Sequence, residues 1–106
     1  MARFLVNASY TPEGTKGLMK EGGTARKENI ERLVKEVGGT VEAFYFTFGK
    51  SDVVALLELP DNATAASLSM AINSSGLVQL STVPLLTAEE VDAAAKKKIG
   101  YRAPGK

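Results

Sequence analysis

The segment from Thr40 to Leu59 constrains the fold of this chain more than any other. Thr40 to Phe48 is rich in β-branched and aromatic residues, Gly49-Lys50-Ser51 supplies a turn, and Asp52 to Leu59 follows as a second run. That is the pattern of a β-hairpin closed by a glycine turn. Strict alternation puts Phe44, Phe46 and Phe48 on one face of the first strand and Val41, Ala43, Tyr45 and Thr47 on the other. The second strand is apolar both ways, with Val53, Ala55, Leu57 and Leu59 opposed to Val54 and Leu56. A sheet with one wet face alternates apolar and polar residues instead. Both faces of this sheet therefore need cover. Helices supply it on one side, and a second copy of the same sheet is the economical cover for the other. The pattern predicts a homodimer packed sheet to sheet.

The flanking segments complete a domain around that hairpin. Arg3 to Ser9 reads as a first strand, broken at Tyr10-Thr11-Pro12. Glu13 to Lys20 forms a short helical stretch that Gly22-Gly23 interrupts. Thr24 is placed to cap a helix carrying Ile30, Leu33, Val34 and Val37 at i, i+3, i+4 and i+7, and Gly38-Gly39 ends it. Asp61 caps a helix to about Ser75, closed by Gly76. Leu77 to Leu86 is a strand whose Pro84 marks an edge, and Thr87-Ala-Glu-Glu90 is a capping box opening a helix to about Lys98. The order β-α-β-β-α-β plus a terminal helix predicts an α+β, ferredoxin-like sandwich over residues 1–98. Residues 99–106 are expected to be a basic tail without fixed structure.

Two absences narrow the chemistry. Among 106 residues there is no cysteine and no histidine. A disulfide framework, a Cys/His zinc site, a thiolate nucleophile and a histidine base are all excluded, and no metal or cofactor is expected. The charge is unevenly laid out: residues 1–95 hold eight basic side chains against twelve acids, while residues 96–106 hold five basic side chains and no acid. Such a tail suits an acidic partner. Phe4-Leu5-Val6 is too short for a signal-peptide core, and Val53-Val54-Ala55-Leu56-Leu57 is far below membrane-spanning length. The expected location is the cytoplasm, with no membrane contact.

Four segments carry a resemblance: Tyr10-Thr-Pro-Glu-Gly14, Gly38-Gly39, the Phe44-Tyr45-Phe46-Thr47-Phe48-Gly49-Lys-Ser-Asp52-Val-Val run, and Glu58-Leu-Pro60-Asp61. From about Phe4 to Glu90 the chain resembles the GYD domain family, small proteins of the dimeric α+β barrel superfamily. In that family the hairpin turn normally reads glycine, a basic residue, tyrosine, aspartate. Gly49, Lys50 and Asp52 fit, and Ser51 stands at the tyrosine position. The resemblance implies a ferredoxin-like protomer that dimerises through its sheets. It implies little chemistry, which must be argued from a site.

Relatives with this barrel often hold a small apolar ligand between sheet and helices. Residues available for such a pocket are Asn7, Tyr45, Thr47, Asp52 and Glu58, with Lys16 and Arg26 approaching from the first helical segment. Symmetric pairing about Lys50 sets Phe46 against Val54, Phe44 against Leu56 and Glu42 against Glu58. Facing carboxylates repel unless a cation intervenes or one keeps its proton. Other motifs fail. Gly17-x4-Gly22-Gly23-Thr24 has P-loop spacing but puts Gly23 where the lysine belongs. Phe44, Phe46 and Phe48 resemble the stacking aromatics of an RNA-recognition motif, yet lack its basic-glycine-aromatic signature and sit in an acidic body. They are better explained as dimer core. The leading expectation is binding of a small apolar organic molecule, with cofactor-free catalysis as an extension. The alternative is a structural or interaction module that forms homo-oligomers and offers its basic tail to an acidic partner.

Overall fold

The computed structural model describes residues 1–106. Its elements are β1 (Ala2–Tyr10), α1 (Pro12–Glu21), α2 (Gly23–Glu36), β2 (Thr40–Phe46), β3 (Val53–Leu59), α3 (Asn62–Asn73), β4 (Val78–Pro84) and α4 (Ala88–Lys96). The four strands form one sheet in the order β2-β3-β1-β4, and every neighbouring pair is antiparallel. This is the expected α+β topology, compatible with a ferredoxin-like fold, with β4 on an edge and the β1–α–β2 connection divided into two helices.

Local chemistry explains the boundaries. Thr11 Oγ1 accepts from the Gly14 N–H at 3.2 Å, and Pro12 occupies the first turn of α1. Gly22 sits at φ 92°, ψ 155°, a conformation glycine enters without steric cost, and it separates α1 from α2. Gly22 is thus the N-cap of α2, and Thr24, expected to cap it, lies inside the helix. Asp61 caps α3 through Oδ1, accepting from the Thr64 N–H at 2.8 Å and the Thr64 hydroxyl at 2.7 Å. The capping box of α4 is complete: the Thr87 N–H donates to Glu90 and the Glu90 N–H donates to Thr87 Oγ1.

The core occupies the helix side of the sheet. Phe4, Val6 and Ala8 from β1, Val53, Ala55, Leu57 and Leu59 from β3, Phe44 from β2 and Val78 from β4 meet Val34 of α2 and Ala65 and Leu68 of α3. Ile30, Leu33 and Val37 pack partly against this cluster, so the stripe read for α2 does face inward. Gly39 lets α2 close on β3. A Cβ there would lie 2.5 Å from the Glu58 carbonyl oxygen and 2.7 Å from Leu59 Cδ2.

The hairpin register differs from the symmetric one by a residue. Phe46 pairs with Val53, Tyr45 with Val54 and Phe44 with Ala55; a bulge between Val41 and Ala43 then leaves Glu42 unpaired. Asp52 sets this register. Its N–H donates to the Ala8 carbonyl at 2.8 Å, and its carboxylate accepts from the Tyr10 N–H at 2.8 Å, which ties the loop to β1. Phe44 and Phe46 consequently lie on the helix side, edge to face with centroids 5.4 Å apart. Phe48 lies beyond the end of β2 and is fully exposed. These phenylalanines do not lie on the free face of the sheet, which corrects their assignment to a dimer core. The bulge also returns Val41 to the helix side, opposite Leu57.

Gly39→Ala should destabilise the fold by about 2 kcal/mol, within the usual range for overpacking, and lower Tm in a thermal melt by roughly 8–16 °C. The Thr64 backbone and hydroxyl donors hold the Asp61 carboxyl below its ordinary 3.8. A lowered folded-state value contributes stability that is present above the ordinary value and lost as pH falls through the lowered one. Acid melts of Asp61→Asn, whose amide oxygen retains the cap, should therefore fall less steeply over that window than those of the unaltered protein.

Candidate functional site

Three surfaces are candidates for function. The first lies between sheet and helices, where Val6, Ala8, Phe44, Leu57, Leu68 and Ile72 are among nineteen lining residues, sixteen of them hydrophobic, around a cavity of about 60 Å³. Ligand pockets for drug-sized molecules span about 300–1,000 Å³. The layer expected to hold a ligand is mostly filled by the chain's own valine, leucine and phenylalanine side chains. The second is an open groove of about 480 Å³ between α1, α2 and the end of α3, walled by Leu18, Ile30, Leu33 and Ile72. Half-buried Arg26 lines both spaces and makes none of the ion pairs in the chain.

The third is the sheet face that no helix covers. Two rows of side chains cross it in register. Ala43, Leu56, Leu5 and Val83 form a wholly apolar row across all four strands, and Tyr45, Val54, Asn7 and Ser81 form the next. Tyr45 is 67% exposed and Val83 43% exposed. One end of the face carries Arg3, whose Nε lies 3.1 Å from Glu42 Oε1 and 3.5 Å from Glu58 Oε2. Thr40, rather than Glu42, stands opposite Glu58, and Glu42, left unpaired by the bulge, reaches the same Arg3 Nε as Glu58 does. A cation between the two carboxylates answers the repulsion foreseen for them. Its identity was missed, although antiparallel pairing of β1 with β3 puts Arg3 directly opposite Glu58.

The seven residues proposed for a ligand site are dispersed. Asn7, Tyr45 and Glu58 lie on the uncovered face, on the far side of the sheet from the apolar cavity. Thr47 and Asp52 line a shallow hollow at the hairpin end beside Phe46 and Gly23. Thr47 Oγ1 donates to the Ser51 carbonyl at 2.5 Å, and Asp52 is engaged by Tyr10, so both hold the loop. Lys16 is exposed on α1 with Glu13 at 3.7 Å. Arg26 alone reaches the cavity.

Arg3→Gln removes the shared cation and should cost roughly 0.5–1 kcal/mol, the range of partly exposed pairs, in urea unfolding at low salt. Adding Glu42→Gln should restore most of the loss, because one of the two carboxylates gathered at Arg3 is then uncharged; a double variant no better than Arg3→Gln would show that the cluster is not coupled.

A protein-family model described as GYD domain matches residues 4–95. The glutamine synthetase and cystathionine beta-lyase binding protein of Thermus thermophilus is 29% identical over 96 residues, which cover 91% of this chain and 100% of that relative. No solved structure matches the chain. The matched stretch runs from β1 into α4 and takes in all four strands, the hairpin and its turn, so this chain belongs to the GYD domain family.

Proposed function

We propose that this protein is an interaction module: copies associate through the uncovered sheet face, and the assembly binds an enzyme. The observation that carries the reading is the apolar row Ala43–Leu56–Leu5–Val83, which crosses the whole sheet with no helix over it. In this row Ala43, Leu56 and Leu5 are half-buried and Val83 is exposed; an apolar patch left open to solvent on a small protein marks an interaction site, and such a face suits an identical face related by a two-fold axis. Support for an enzyme partner comes from the relative named as a binding protein for glutamine synthetase and cystathionine beta-lyase, which aligns over its full length. The partner for this chain is taken to be one of those two enzymes from the same cell. The basic run from Lys96 to Lys106 offers a complement to an acidic surface. A small-ligand role has less behind it, since the candidate residues are dispersed and the space between sheet and helices is about 60 Å³.

Sedimentation of the protein with each enzyme from its own organism tests the reading. Co-migration with at least one is expected; free boundaries for both at about 100 μM protein would overturn the partner assignment. Leu56→Lys, a change on the uncovered face, should shift self-association toward monomer while leaving the far-UV spectrum unchanged. Unaltered self-association would remove the sheet face from the account.

A further inference from the structure

The segment after β4 stands away from the body. The Leu85 N–H still donates to the Arg3 carbonyl at 2.9 Å, and beyond that bond every residue from Leu86 to Lys106 is exposed. Leu86, Val91, Ile99 and Tyr101 are all more than half exposed. The whole chain measures 56 × 33 × 22 Å with a radius of gyration of 17.0 Å, against about 13 Å for a compact domain of this length. Its accessible surface of 7595 Å² exceeds the value of about 5,700 Å² for a compact monomer of this mass. The excess, about 1,900 Å² per chain, falls in the range that permanent dimers bury on each partner.

α4 has nine residues, and isolated helices below about 12–15 residues are marginal in water. Yet it carries a complete capping box, and nearly all of it lies inside the stretch matched by the family model. A helix so specified, without support from its own body, is shaped for contact with another molecule. Its charge pattern points to which one. Glu89, Glu90 and Asp92 lead, and Lys96, Lys97 and Lys98 trail. The helix dipole favours this order in a single helix, and the same order is self-complementary: two such helices laid antiparallel set acids against lysines at both ends.

We propose that Leu85–Tyr101 is a dimerisation arm, with the α4 helices of two copies of this chain lying antiparallel. Acids of one arm face the lysines of the other, and Leu86, Val91, Ile99 and Tyr101 are buried between the copies. The inference rests on the homo-oligomeric reading above and deepens it: the acidic surface that meets Lys96–Lys98 is the first turn of a second copy's α4.

Charge exchange between arms provides the test. One full-length variant carries Lys96→Glu, Lys97→Glu and Lys98→Glu; the other carries Glu89→Lys and Asp92→Lys, leaving the cap at Glu90 intact. Each alone should self-associate roughly tenfold or more weakly than the unaltered protein, since like charges then face each other, and an equimolar mixture should regain the unaltered affinity. Failure of the mixture to recover, with both variants folded, would overturn the antiparallel arm. Hydrogen exchange on the unaltered protein gives a reading that needs no variant. Amides of Val91–Lys96 should be protected above the self-association concentration and lose that protection on dilution. Protection that is independent of concentration would mean that the arm folds onto its own body, and protection that appears only on adding a partner enzyme would assign it to that enzyme. Either result, or an unprotected arm in a proven dimer, overturns the arm while leaving the sheet pairing standing. A monomer at every concentration overturns both.

Discussion

Everything in this fold hangs on the antiparallel pairing of β1 with β3. It joins Phe4 to Leu57, Val6 to Ala55 and Ala8 to Val53, residues some fifty positions apart, at the centre of the sheet. Closing so long a loop costs entropy, and the burial of these six side chains on the helix side helps to offset it. With the pair in place, β2 and β4 add to its two edges and the helices have a single apolar surface on which to land. The same register sends Leu5, Asn7, Val54 and Leu56 to the opposite side. One pairing therefore creates both the core and the uncovered face.

The uncovered face is shaped by a detail at its margin. The bulge at Glu42 changes which residues of β2 point to the helices: Val41 and Phe44 both do so, and Ala43 and Tyr45 are left with Leu56 and Val54. Without it, strict alternation would send Val41 outward with Ala43. The Arg3 guanidinium then holds Glu42 and Glu58 together at one end of the face. The face is thus apolar in the middle and charged at one rim, the usual distribution in interfaces whose centres exclude water. Its far neighbour, the arm after β4, begins at the same Arg3 through the Leu85 bond.

Much of the architecture was legible because its signals are local. The Asp61 and Thr87 caps, the α2 stripe and the edge position of β4 all follow from residues within a few positions of each other, and each stands as read. The hairpin register was not legible. It depends on Asp52, which reaches outside the hairpin to Ala8 and Tyr10, and no symmetry argument internal to the hairpin contains that contact. The shift of one residue and the bulge moved the phenylalanines to the helix side and put Thr40, in place of Glu42, opposite Glu58. The candidate ligand residues share the difficulty. Asn7, Tyr45 and Glu58 are strand residues available to a pocket beneath the helices only if they lie on the helix side of the sheet, and the side on which each lies emerges only when the strands pair.

The sequence by itself determined the element order, the family and the presence of apolar residues on both faces of the hairpin, since alternation and capping are properties of neighbouring residues. Tertiary structure alone decided which face each side chain joins, that Arg3 is the cation between Glu42 and Glu58, that the space between sheet and helices is small, and that α4 stands clear of the body. Those outcomes depend on contacts between residues distant in the chain, where a single bulge or one anchoring carboxylate reverses the direction of a side chain while the pattern of the sequence stays the same.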